Sequence, residues 1–249
     1  MLILITAFFA ILGALLASFV GVIAERAYTG QSWKRGRSRC NSCRRDLNAH
    51  DLVPVLSWIW YRGRCRQCGA KVPWQYPLTE LALGTLFALS YIRFGLSLQL
   101  VLLLTILLTL GFIVIYDLRH TVVPAASSNL LILLCAVFAA VAAPSSHALG
   151  VILIEAAFIG FFFLAFYVFS RGRAMGLGDT PVAFALSLLV GTQAVSGVLF
   201  SFWIGAVIGI LILVFRRGGP RMGIEVPFVP FLAAGFLLAL FSQWNPLPF

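Results

Sequence analysis

Residues 98–120 read LQLVLLLTILLTLGFIVIYDLRH, and this stretch decides the class of fold. From Leu98 to Tyr116 there is no charged side chain. A helix needs roughly 20 such residues to cross a bilayer. The run then stops at Asp117, Arg119 and His120. Similar apolar runs lie on either side, at 1–24, 78–94, 128–143, 147–170, 182–196, 197–215 and 226–242. Pro77, Gly95, Pro124, Pro144, Pro181, Gly218, Gly219 and Pro220 fall at or between run ends, as breakers should. The junction of the last two central runs is set at Gly197.

Composition points the same way. The chain is 61% hydrophobic and 10% charged, with a mean hydropathy of +1.00. Soluble domains carry about 25% charged residues, so this chain could not cover its apolar surface in water. The runs are rich in Leu, Phe and Ala, and none alternates in the short segments that a membrane barrel requires. The expectation is an all-α polytopic membrane protein of about eight transmembrane helices. Residues 1–24 are read as a retained first transmembrane helix, because no basic residue precedes the run and it is long for a signal core. Residues 25–77 form a polar loop domain, and 78–249 hold the remaining seven helices.

Charge placement orients the chain. The net charge is +10, and seventeen of the eighteen Lys and Arg fall in the alternate loops 25–77, 117–127, 171–181 and 216–225. Only Arg93 lies near the opposite face. Basic loops stay on the cytoplasmic side, which makes that face cytoplasmic. Bases interleaved with membrane spans also read as headgroup contacts and not as a nucleic-acid platform, so membrane lipids are expected partners and nucleic acid is not.

Residues 25–77 are too polar for the membrane and too few for an ordinary core. They contain Cys40-Asn-Ser-Cys43 and Cys65-Arg-Gln-Cys68, two C-x-x-C turns with 21 residues between them. Each turn can aim two sulfurs at one ion, and two turns complete a tetrahedron. In a reducing compartment this pattern reads as a structural zinc site and not as a disulfide framework. Arg39, Arg44, Arg45, Arg64 and Arg66 crowd the pairs and favour thiolates. Cys135, alone in an apolar run, reads as packing.

Carboxylates at membrane depth are costly and need an account. Asp117 ends its run at the negative pole of a helix, where the dipole disfavours an anion. Asp179 lies in Met175-Gly176-Leu177-Gly178-Asp179-Thr180-Pro181. Asp followed by Thr-Pro makes a good helix start, with the Asp as N-cap. Capping does not call for Gly176 and Gly178, which permit a tight turn and close approach of a second backbone. By spacing, both aspartates reach the cytoplasmic membrane edge. Two carboxylates a few ångströms apart hold one proton between them, so one can activate water while the other polarises a carbonyl. The histidines His50, His120 and His147 stand in no serine-nucleophile setting.

An ordered series of motifs over nearly the whole chain resembles the type IV prepilin peptidases, bacterial inner-membrane enzymes of the GxGD aspartic class. The series runs from Ser18-Phe19 through both cysteine pairs, with Asp51-Leu52-Val53-Pro54-Val55-Leu56-Ser57-Trp58 and Arg62-Gly63-Arg64-Cys65-Arg66. It continues with Tyr76-Pro77-Leu78-Thr79-Glu80, Asp117-Leu118-Arg119, Gly176-Leu177-Gly178-Asp179 and Pro227-Phe228-Val229-Pro230-Phe231. The resemblance implies that Asp117 and Asp179 are catalytic and that Gly176 and Gly178 form the active-site turn. It implies cleavage of a short basic leader after glycine in prepilins or pseudopilins, and N-methylation of the new terminus with S-adenosylmethionine. The chain has no Rossmann fingerprint to locate that donor. Glu80, otherwise a favourable acid at a helix start, is placed by the resemblance at the substrate or methyl-donor site. Another GxGD protease is the first alternative, and the four-cysteine loop argues against it. A transporter or a zinc-loop assembly factor is the second. The internal repeats and broken helices of transporters are not found.

Overall fold

A computed structural model describes residues 1–30, 32, 36–173, 175–215 and 227–244. Arg216, Arg217 and Arg221, which the charge reading used, lie outside the described residues, as do Lys34 and Arg35. Nine α-helices occur among the described residues: α1 Leu2–Thr29, α2 Leu56–Trp60, α3 Gln75–Phe94, α4 Leu98–His120, α5 Ala125–Ala142, α6 Ser146–Ser170, α7 Asp179–Val190, α8 Ala194–Phe215 and α9 Val229–Ser242. Each apolar run of the sequence lies largely on helix among the described residues. No strand forms among the described residues, which hold only two isolated bridges.

Five stretches are long and apolar enough to cross a membrane: α1, α4, α5, α6 and the stretch Asp179–Phe215. The expected eight spans therefore need qualification. Helix α7 has 12 residues and α9 has 14. At 1.5 Å per residue these reach only about 18 and 21 Å, short of the ~30 Å hydrocarbon layer. The break between α7 and α8 also differs from expectation. It falls at Gly191–Gln193, where Gly191 adopts φ 61°, and not at Gly197. Gly197 lies inside α8, and a Cβ there would come within 2.6 Å of the Phe236 ring of α9. Its glycine serves helix packing, which a sequence reading cannot tell from a chain break.

The chain divides into two units, Met1–Ile115 and Tyr116–Phe249. In the first, α1 and α3 pack closely and antiparallel. A Cβ on Gly13 would meet the Leu83 carbonyl at 2.8 Å, and one on Gly84 would meet the Ala10 carbonyl at 2.8 Å. Phe9 stacks on Tyr91 with ring centroids 5.0 Å apart. The second unit centres on α7, whose Val182, Ala183, Ala185 and Leu186 are fully buried. Cys135 of α5 is also fully buried, consistent with packing.

Candidate active site and metal centre

The two cysteine turns meet. Sγ of Cys40, Cys43, Cys65 and Cys68 all lie within 4.8 Å of one another, and Cys40 Sγ is 3.9 Å from Cys68 Sγ. All four thiols are free. A tetrahedron with Zn–S bonds of ≈ 2.3 Å has sulfurs about 3.8 Å apart, so the donor set fits one zinc ion and leaves no ligand position open. Each turn closes by a backbone bond, Arg44 N–H to the Cys40 carbonyl at 2.9 Å and Gly69 N–H to the Cys65 carbonyl at 2.9 Å. Backbone N–H groups of Cys68 and Gln67 aim at Cys65 and hold its thiol down to about 6. Those of Cys43 and Ser42 lower Cys40 from its ordinary value. The turns thus favour thiolates at Cys40 and Cys65, while burial and the neighbouring sulfurs push the metal-free Cys68 thiol up to about 11. Around them, the Arg45 guanidinium grips Asp51 through both carboxylate oxygens at 3.0 and 2.9 Å.

Glu80 is buried on α3. Its Oε2 accepts the Val55 N–H at 2.8 Å, and the Ser18 hydroxyl of α1 lies against the same carboxyl. Val55 holds φ 60° and ψ −50°, unusual for a β-branched residue. The Glu80 bond helps to hold that turn in place. Beside it opens a cavity of about 410 Å³ whose walls include Glu25, Trp58, Tyr61, Tyr76 and Glu80. The Trp58 indole reaches across to donate to the Val72 carbonyl at 3.1 Å. A volume of this order suits a cofactor-sized ligand.

In the second unit, Asp117 and Asp179 are both buried, at 5% and 6% exposure. They lie close enough for the charge of Asp117 to act on Asp179. Asp117 is on the last turn of α4 and Asp179 is the first residue of α7. The N-cap of α7 is therefore Gly178, not Asp179 as the sequence suggested. Instead of capping its own helix, Asp179 Oδ2 accepts the Gly176 N–H at 3.1 Å, while Asp179 N–H donates to the Gly176 carbonyl at 3.2 Å. This reciprocal pair fixes the turn and the carboxyl together. Asp117 Oδ2 is buried and makes no hydrogen bond among the described residues. The backbone N–H of Val229, first residue of α9, faces the Asp117 carboxyl. The sequence showed Pro227-Phe228-Val229 as a motif without indicating this contact.

The two glycines differ in what surrounds them. Neither has a positive φ. A Cβ on Gly178 would sit 2.8 Å from Val123 Cβ, in the linker between Asp117 and α5. One on Gly176 would have ordinary room, 3.7 Å from Asp179 Oδ2.

Comparison with known proteins identifies the family of the chain. The family model for the bacterial peptidase A24 N-terminal domain matches residues 11–94, a region that contains the cysteine cluster and Glu80. The chain is 35% identical over 229 residues to a prepilin leader peptidase/N-methyltransferase of Myxococcus xanthus, covering 88% of this chain and 66% of that protein. It is 30% identical over 230 residues to one of Bacillus subtilis, covering 92% and 91%. A third, from Aeromonas hydrophila, is 32% identical over 214 residues, covering 83% and 72%. No solved structure matches the chain.

Proposed function

Because this chain belongs to the prepilin leader peptidase/N-methyltransferase family, we propose that it cuts the leader from prepilins or pseudopilins with Asp117 and Asp179 and methylates the exposed amine. The single observation that carries the peptidase reading is two buried carboxyls, from separate helices, held within electrostatic reach of each other. In this reading the pair holds one proton. The ionised partner takes a proton from the attacking water, and the protonated partner hydrogen-bonds the scissile carbonyl and later protonates the leaving amine. Gly176, without a side chain, leaves the flank of the Asp179 carboxyl uncovered by a Cβ, which suits an extended substrate backbone.

The reading places the dyad and the cysteine loop at the cytoplasmic face of the bacterial inner membrane, supported by the basic loops. A prepilin's hydrophobic segment then lies in the bilayer, with its leader junction at the boundary. Residues 25–77 form a loop domain held by zinc on Cys40, Cys43, Cys65 and Cys68, between the first span (1–24) and the peptidase domain (78–249). The zinc would supply cross-linking of a loop that lacks a core, and no chemistry on the substrate.

S-adenosylmethionine is a sulfonium cation carrying an adenine ring, and it would supply the methyl group. The cavity beside Glu80 suits it, with the carboxylates of Glu25 and Glu80 for positive charge and the rings of Trp58, Tyr61 and Tyr76 for the base. The test is incubation of the reconstituted enzyme with a prepilin, followed by mass measurement of the new N-terminus. Loss of the leader plus one methyl mass supports both activities. An intact precursor removes the peptidase, and a cut but unmethylated product removes the transferase alone.

A further inference from the structure

The short helix α2 is built inside out for a water-facing loop. Its residues Leu56, Ile59 and Trp60 are spaced i, i+3, i+4 and so share one face. That face is 61%, 60% and 82% exposed. The opposite residues Ser57 and Trp58 turn inward and line the cavity. A soluble surface rarely gathers large apolar side chains in this way.

The depth of α2 follows from its anchoring. Val55, which precedes it, is bonded to Glu80 of α3 at the level of Ser18 of α1. Ser18 stands six residues before Ala24, where the apolar run of α1 ends. At 1.5 Å per residue that is about 9 Å inside the end of the run. Trp74, 64% exposed at the N-cap of α3, adds a second aromatic at this boundary.

The charge that follows α2 divides between the cavity and the outward face. Arg62, Arg64, Arg66 and Lys71 follow α2 and are all exposed; Arg64, Arg66 and Lys71 also line the cavity, and Arg62 does not. Arg64 and Lys71 pair across the second cysteine hairpin, so their side chains are neighbours. The hairpin is tied to α2 by the bond from Trp58 Nε1 to the Val72 carbonyl and by the Gly63 N–H to the Trp58 carbonyl at 2.8 Å. Apolar face and cysteine hairpin are one piece.

We infer that α2 is an interfacial anchor: Leu56, Ile59 and Trp60 enter the headgroup–acyl boundary of the leaflet from which α1 and α3 emerge, and Arg62, exposed and outside the cavity, faces its anionic phosphates. Aromatic side chains at headgroup level with a base beside them are the ordinary signature of such a site. The anchor holds the cysteine loop down against the bilayer, so that the cavity wall formed by Trp58 keeps a fixed height above the membrane. The inference stands whether or not the loop binds a methyl donor.

The full chain is reconstituted in vesicles of phosphatidylcholine and phosphatidylglycerol, with p-benzoylphenylalanine replacing Trp60 in one preparation and Trp58 in another. Irradiation is expected to add a phospholipid mass at position 60 and none at position 58. Absence of a lipid adduct at 60, or an adduct there to a second copy or to added prepilin, overturns the inference. As a second measurement free of the bulky label, brominated phosphatidylcholine is expected to quench wild-type tryptophan emission more than that of Trp60→Phe. Equal quenching overturns it as well.

Discussion

Gly178 and Val123 are in contact so close that a single added carbon at Gly178 would sit 2.8 Å from the Val123 Cβ and 2.9 Å from its Cγ2. Val123 belongs to the linker that leaves Asp117, and Gly178 immediately precedes Asp179. The spacing of the two carboxyls is thus set partly by a glycine that bears no catalytic atom. Gly178→Ala is expected to force these segments apart, at an overpacking cost of about 1–3 kcal/mol. A displacement of the order of 1 Å costs catalysis about 100-fold. Gly176→Ala, with ordinary room for its Cβ, should lose much less stability. Thermal unfolding in detergent and prepilin cleavage rates of both variants check the contrast.

Asp117→Asn and Asp179→Asn should each abolish cleavage, and the double variant should be no worse than either single one. Residues that act as a unit are not additive, since either loss removes the shared proton. Product mass from a prepilin measures cleavage. The same variants offered an already cut pilin should still methylate it, because Glu80 and its cavity are in a separate unit of the chain. Residual cleavage by one single variant comparable to wild type would exclude the dyad.

How much of this was readable from the chain depends on what each feature needs. The apolar runs, the cysteine turns and the aspartate at the end of 98–116 depend on residue type and spacing alone, so they were legible. The turn at Gly191 and the packing at Gly197 were exchanged, because both are glycines between apolar residues and only the partner Phe236 separates them. The Val229 N–H on Asp117 was not legible, since a backbone donor leaves no signature in residue identity. The outward face of α2 was missed for a different reason. Five residues are too few for helical periodicity to rise above chance, and Leu-Ser-Trp-Ile-Trp reads equally as a buried segment.

Metal removal should act on the loop first. One zinc per chain is expected by elemental analysis, falling in Cys40→Ser or Cys68→Ser and retained in Cys135→Ser. Chelation withdraws the cross-link that joins the two turns, and Cys40 and Cys65 line the cavity beside Glu80. Methyl transfer should therefore fall more than leader cleavage when a strong chelator is added, and recover on return of Zn²⁺. A metal-free chain that methylates at the full rate would remove zinc from the account.

Glu80 offers the sharpest division between holding the fold and holding a ligand. Its Oε2 satisfies the Val55 N–H at 2.8 Å inside a strained turn. Glu80→Ala leaves that buried donor unpaired, a loss of about 1–3 kcal/mol. Glu80→Gln keeps an oxygen for Val55 and removes only the charge. If the carboxylate serves the fold alone, the glutamine variant should match wild type in thermal stability and in methyl transfer. If it faces the sulfonium donor, the glutamine variant should stay near wild-type stability while its KM for S-adenosylmethionine rises about ten- to a hundredfold, the equivalent of losing one charge-assisted contact of about 1.5–3 kcal/mol. Donor titrations with a precut pilin, run beside unfolding curves of both variants, separate the outcomes. A Gln variant with unaltered donor KM would leave Glu80 as a brace for Val55 and move the donor site elsewhere along the cavity wall.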